Sequence, residues 1–284
     1  MSDTFHSLVS TQWLEDHLGT PGLLVLDASR HLPQTGRDPS AEYKSSHVPG
    51  ALFLDLESLV DTTSDVPQAL PSPTQLAQRL AELGVDPNDR IVLYDDSAVK
   101  SSARAWFTLV AHGIEAVAIL DGGLAKWREE ERPLEGGATE PTTVECCTLP
   151  VADRVRTKAD LLAQLGAPTE QILDARSADR VFGTGTDPVH GGDNGRIPGT
   201  LNLPFGAVFK PDGTYKDADE LRQAFANAGV DLSRPVVTTC GSGLTASVLL
   251  FALHLIGHDN SALYDGSWME WSADPDTPKE QGPA

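Results

Sequence analysis

The feature that most constrains how this chain can fold is that it contains itself twice. Written one above the other without gaps, "RIVLYDDSAVKSSARAWFTLVAHGIEAVAILDGGLAKW" and "RPVVTTCGSGLTASVLLFALHLIGHDNSALYDGSWMEW" set Arg90 against Arg234, Asp121-Gly122 against Asp265-Gly266 and Trp127 against Trp271. Upstream, "LLVLDASR" (Leu23 to Arg30) parallels "QILDARS" (Gln171 to Ser177), and "HVPGALFLDL" parallels "RIPGTLNLPF", each at a slightly shifted offset. Shifts of this kind are what loop insertions leave in a duplicated domain, and the unit is too long for a solenoid repeat. The length of 284 residues also suits two domains of about 100–150 residues each.

Each copy alternates short apolar runs with capped helical segments. "LLVLD", "ALFLDL", "RIVLYDD" and "VAIL" read as strands of a buried parallel sheet. Ser72-Pro73-Thr74-Gln75 offers a capping hydroxyl, a proline at the first helical position and a glutamine that reaches back. Asp217 to Glu220 opens the matching helix of the second copy, and Gly84 and Gly229 stop the two helices. The pattern predicts an α/β fold: two tandem domains, each a mainly parallel sheet with helices on both faces. We expect the domains at residues 1–128 and 156–284, joined by a charged, Gly/Pro/Thr-rich linker over residues 129–155.

The formal net charge of −20 disfavours nucleic acid and anionic membranes as partners, since both require basic patches. No apolar run approaches the roughly 20 residues of a membrane span, and the N-terminal stretch lacks a signal-peptide pattern, so the expected location is the cytoplasm. Three cysteines, two of them adjacent as Cys146-Cys147, form neither a disulfide framework nor a zinc motif. No metal and no cofactor is expected.

In a duplicated chain the informative positions are those where the copies disagree. Asp96-Ser97-Ala98-Val99-Lys100 stands opposite Cys240-Gly241-Ser242-Gly243-Leu244, so only the second copy carries a thiol among small residues. Loops at the carboxyl ends of parallel strands are where α/β sheets bind ligands. Gly241 and Gly243 let the backbone curl and aim N–H groups inward, and a helix from Leu244 onward adds its N-terminal amides. Such a focus favours a thiolate at Cys240 and can hold a persulfide or an anionic transition state, with hydroxyl help from Ser242 and Thr245. Cys146 and Cys147 lack any such cradle.

The duplication, the HVPG and RIPG turns, "LDGGLAKW", "YDGSWMEW" and above all "CGSGLTAS" resemble the two-domain sulfurtransferases of the rhodanese superfamily over nearly the whole chain. The resemblance implies a catalytically silent N-terminal domain, with Asp96 at the cysteine position. It also implies a C-terminal Cys240 that takes sulfur from a small donor, forms a persulfide and passes the sulfur to a thiophilic acceptor. The acceptor would be cyanide, a thiol or a thioredoxin-like protein. Cys-Gly-Ser-Gly-hydrophobic-Thr, as Cys240 to Thr245 reads, resembles the loop of the 3-mercaptopyruvate branch; the thiosulfate branch carries basic residues there. No arginine closes the loop, which disfavours phosphatase chemistry.

Two further groups follow from the resemblance. Asp38 and His47 in "GRDPSAEYKSSHVPGA" match a proposed triad with Ser242, which would relay a proton to the departing pyruvate enolate. Arg180 in "SADRVFGT" matches the first arginine of the substrate carboxylate clamp. The second is absent: Val189 stands in its place, with His190 beside it, and Arg196 replaces the usual histidine before Ile-Pro-Gly. Either His190 or Arg196 substitutes for it, or the donor differs. The alternative activities are thiosulfate:cyanide sulfurtransfer by the same cysteine and, from another class, a protein-binding module without catalysis.

Overall fold

Residues 5–86, 88–152 and 154–282 are described by the structure, a computed structural model. Two compact units divide the chain. One comprises Met1–Asp61, Leu70–Asp153 and Lys210–Tyr215; the other comprises Thr62–Ala69, Arg154–Phe209 and Lys216–Ala284.

In the first unit the elements run β1 (Leu8–Val9), α1 (Thr11–His17), β2 (Leu23–Asp27), α2 (Pro39–Ser45), β3 (Leu52–Phe53), α3 (Pro73–Glu82), β4 (Arg90–Tyr94), α4 (Ser102–Ala111), β5 (Val117–Leu120) and α5 (Gly123–Glu129). The second unit repeats them: β6 (Val155–Arg156), α6 (Lys158–Gln164), β7 (Gln171–Asp174), α7 (Ala178–Phe182), β8 (Leu201–Asn202), α8 (Ala218–Asn227), β9 (Val236–Thr239), α9 (Ala246–Leu255), β10 (Ser261–Tyr264) and α10 (Ser267–Ala273). The sheets have the same strand order, β1-β5-β4-β2-β3 and β6-β10-β9-β7-β8, and every pairing is parallel. The α/β fold expected from the sequence is therefore present twice, each parallel sheet flanked by helices.

The central strands β4 and β9 are buried almost throughout because both faces are covered, and in β4 the run Ile91–Leu93 lacks the alternation of a half-exposed strand. Trp127 and Trp271 are fully buried at matching places, and their indole N–H groups donate to the carbonyls of Pro133 and Pro278 at 2.7 and 2.8 Å. A buried indole must satisfy its one donor, and here the chain after each α5-type helix folds back to do so. The tryptophans sit on the short helices α5 and α10.

The caps are as the sequence indicates, with one exception. Ser72 Oγ accepts the N–H of Gln75, and Asp217 with Glu220 forms a reciprocal capping box. Gln75 does not reach back: its side-chain amide donates to the carbonyls of Ser58 and Val60, tying α3 to the preceding loop. Gly84 and Gly229 end their helices at φ +72° and +81°, a left-handed conformation that glycine adopts without steric cost. The charged stretch after α5 is not a free tether. It packs on the first unit, with paired backbone bonds between His47 and Glu135 and a bond from Val144 N–H to Ala81 O.

Candidate active site

Cys240 follows the last residue of β9, at the carboxyl end of a central parallel strand. The thiol is recessed, with 2% of the residue exposed. Its loop is pinned from one side by α10. The Cys240 N–H donates to Ser267 Oγ at 3.2 Å, Trp268 N–H donates to Cys240 O, and Met269 N–H donates to Gly241 O, both at 3.0 Å. Ser267 holds φ +52°, a conformation few non-glycine residues take, and its hydroxyl also donates to Tyr264 O. With the carbonyls of residues 240 and 241 tied to α10, Gly243 turns the chain at φ +80° and α9 begins at Ala246, two residues later than expected.

Among the described residues the backbone N–H groups of residues 241–244 donate to no hydrogen bond. The equivalent loop of the first unit explains why that is unusual. There the buried carboxylate of Asp95 accepts the N–H groups of Ser97 and Ser102, each at 2.9 Å. The gapless pairing puts Thr239, which has no charge, opposite Asp95. Asp96, at the cysteine position, is turned to Arg37 and Arg128 at 3.0 and 2.9 Å. The first unit's loop thus contains its own anion, whereas the amides of the Cys240 loop are free to receive one.

Gly241 is a glycine for reasons of space. A Cβ built on it would lie 2.1 Å from His190 Nε2, so the imidazole rests directly on the α-carbon beside the cysteine. Burial and the neighbouring cations Arg180 and Arg176 lower the pKa of His190 and keep the ring neutral near pH 7. Arg180 forms a two-pronged pair with Asp187, Nε to Oδ1 at 3.0 Å and Nη2 to Oδ2 at 2.7 Å. Burial opposes the charge on Asp187, but the Arg180 guanidinium and the amides of Val189 and His190 together hold its carboxyl below the usual range. Behind them Arg176 is fully buried. It pairs with Asp174, donates to Gly195 O at 2.7 Å and stacks over Trp268 at 4.8 Å. Asp187, Arg176, Ser267 and Trp268 escaped the sequence reading. One of them was visible as a disagreement between the copies: Ser267 stands opposite Gly123, whose φ is +60°.

The remaining expected residues lie as follows. Leu244 is buried; Ser242 and Thr245 are half-buried, and among the described residues their hydroxyls make no hydrogen bond. Arg196 does not approach Arg180's carboxylate pair. It stacks on Phe182 and is spent on Glu280, at 3.2 Å, and on Gly282 O, at 2.7 Å. In the first unit Asp38 and His47 are not joined. Asp38 Oδ1 caps α2 by accepting the N–H groups of Ser40 and Ala41. His47 is fully buried, stacked on Tyr43, with Nδ1 2.8 Å from Tyr43 O. A carbonyl can only accept, so Nδ1 carries the proton and Nε2, buried without a partner among the described residues, presents its lone pair.

Two parallel α/β domains of one topology, with a cysteine loop cradled in only one of them, define the class. The chain belongs to the rhodanese family: residues 10–130 and 157–274 each match the rhodanese-like domain. It is 39% identical to 3-mercaptopyruvate sulfurtransferase of Escherichia coli (strain K12) over 99% of both chains. It is 38% identical to 3-mercaptopyruvate sulfurtransferase of Rattus norvegicus, covering 94% of this chain and 92% of the other. The crystal structure of SseA from Escherichia coli, described under the rhodanese fold of 3-mercaptopyruvate sulfotransferases, superposes with a TM-score of 0.84 and 38% identity. It covers 92% of this chain and 98% of that one. No helix among the described residues is long and apolar enough to cross a membrane.

Proposed function

We propose that the protein moves sulfur from 3-mercaptopyruvate, through a persulfide on Cys240, to a thiophilic acceptor. The observation that carries this reading is the set of uncommitted amides of residues 241–244 beside the only cysteine held in such a loop. The thiolate of Cys240 attacks the donor's sulfur, an S–S bond forms, and the C–S bond breaks with its electron pair leaving on the enolate of pyruvate. A proton returns to that carbon. Cyanide, a small thiol or a thioredoxin-like protein then attacks the outer sulfur and frees Cys240.

In this reading Arg180 binds the donor's carboxylate, and His190, neutral and seated on the loop, adds a ring N–H in place of the missing second guanidinium. Ser242 supplies the proton, with His47 as its proposed partner. The role of Asp38 in that triad needs it to leave the cap it forms on α2. The domain division at 1–128, 129–155 and 156–284, and a place in the cytoplasm, remain part of the proposal.

Thiosulfate is the competing donor, favoured by one observation: Arg196 is engaged with the segment at Glu280 and Gly282, so the clamp holds a single arginine. Intact mass spectrometry after incubation with each donor separates the readings. We expect a gain of one sulfur atom from 3-mercaptopyruvate, removed by cyanide and absent in Cys240→Ser. Faster loading from thiosulfate would reverse the donor assignment, and no loading from either would overturn the mechanism.

A further inference from the structure

The second unit carries a cavity of about 330 Å³ that takes no part in the chemistry above. Its lining includes Leu165, Pro168, Ile172, Leu201, Gly229 and Arg234. Gln171 begins β7 and Gly229 follows the end of α8, so the groove opens at the amino ends of the parallel strands, the opposite end of the sheet from Cys240. An apolar floor with a charged rim is the composition of a binding groove rather than of a packing defect.

The internal duplication shows what such a groove takes. Gly84 is the counterpart of Gly229, with the same helix before it and nearly the same φ. In the first unit that place is filled. A Cβ at Gly84 would lie 2.3 Å from the carbonyl oxygen of Thr142, and Val144 N–H donates to Ala81 O at 3.0 Å. The chain crosses the end of α3 there as a segment that is neither helix nor strand, reached after the Glu135–His47 bridge. The second unit repeats the bridge, as Glu280 with Arg196, but neither Gln281 nor Gly282 lines the groove. A Cβ at Gly229 would meet only Leu201 Cδ2, at 3.6 Å.

We infer that this groove is a docking site for an extended segment of a partner protein, with β-branched residues in the groove and acidic residues beside them. The rim sets the charge. Glu170 is consumed by a two-pronged pair with Arg156, and Asp231 accepts from Ser233, whereas Arg234, exposed at the mouth, donates one guanidinium nitrogen to Pro168 O at 3.2 Å, a neutral acceptor that leaves its positive charge in place. The segment on Gly84 has the corresponding character: Thr142, Thr143 and Val144 lie between Glu140 and Glu145. That segment is held by its own unit and is not the occupant of the second groove, and the assignment is to a segment of another molecule.

The probe is a fluorescent synthetic peptide with the sequence of residues 139–145, titrated into the full chain by anisotropy. We expect saturable binding, weakened at least tenfold by Arg234→Glu, by Leu201→Trp, which fills the groove, and by a peptide with both glutamates changed to lysine. Arg234→Glu lies on the surface and should leave sulfur transfer to cyanide within twofold, which shows that it is folded. A photoreactive group at the Val144 position should label residues 165–172 or 198–201. Binding that is not saturable, indifference to Arg234→Glu, labelling near residues 81–84, or uptake of small apolar fragments but not of the peptide would each overturn the proposal.

Discussion

The imidazole of His190 lies on the α-carbon of Gly241, with Nε2 where a methyl group at 241 would have to go. The two residues belong to different loops, so the contact fixes how the 187–190 turn meets the cysteine loop. A glycine whose backbone is not in the left-handed region accepts alanine where there is room, and here the methyl group would have to push aside the ring end of the His190 side chain. Gly241→Ala should therefore displace the ring or the loop and lower kcat/KM by about a hundredfold, since misplacement of a reacting group by an ångström costs that much. Adding His190→Ala should restore part of the loss. A double-mutant cycle on steady-state rates measures the coupling, and a purely additive result would mean that the contact does not position the loop.

Arg180 and Asp187 act as one unit, the carboxylate presenting the guanidinium in a fixed orientation. Arg180→Ala should raise KM for 3-mercaptopyruvate by about 10–100-fold while changing kcat little, because the carboxylate of the donor is held alike in ground and transition states. Asp187→Asn should raise KM to a smaller extent. Its stability cost should appear only above the depressed pKa of Asp187 and vanish as pH falls through it, because the protonated carboxyl gains nothing from Arg180. Val189→Arg, which restores the arginine found in the resembling family, should lower KM for 3-mercaptopyruvate and leave thiosulfate kinetics unchanged.

Much of this architecture is legible in the chain because each copy checks the other. The alternation of strands and helices, the cap at Ser72, the capping box at Asp217 and the cysteine loop all follow from local pattern plus duplication. What escapes is whatever depends on side chains meeting across sequence distance. Arg196 looks available for a carboxylate until the segment at Glu280 is seen bound to it. Asp38 and His47 sit at a suggestive spacing, yet one serves the start of α2 and the other a carbonyl near its end. Asp187 reads as an ordinary loop acid, and nothing local marks it as the buried hub beside two arginines.

Asp95 gives the first unit's loop a carboxylate that the cysteine loop replaces with Thr239. Its carboxylate satisfies the N–H groups of Ser97 and Ser102 in a buried setting. Asp95→Ala leaves both donors without a partner and should destabilise the protein by about 3 kcal/mol, given roughly 1.5–3 kcal/mol for a hydrogen bond to a charged group and some relief by water. Chemical denaturation followed by fluorescence measures the loss. If the first domain is catalytically silent, as the proposed function has it, sulfur loading of Cys240 in the folded variant should match that of the unaltered protein.

A half-buried carboxylate of the first unit ties its stability to pH. Asp121 accepts the N–H of Tyr215 at 2.8 Å, and burial pushes its pKa up to about 6 against only partial compensation from that bond. The sign follows from the two states. A folded pKa above the unfolded value of 3.8 means that the folded protein binds this proton more tightly. The contribution is therefore full below about pH 4 and is lost as pH rises through 6, a change of about 2–3 kcal/mol at 1.36 kcal/mol per unit. Asp121→Asn keeps an oxygen to accept the Tyr215 N–H and carries no charge. It should raise the denaturation midpoint at pH 7.5, have little effect at pH 4.5, and flatten the stability profile between them. An equal effect at both pH values would show that the proton on Asp121 is not the linked one.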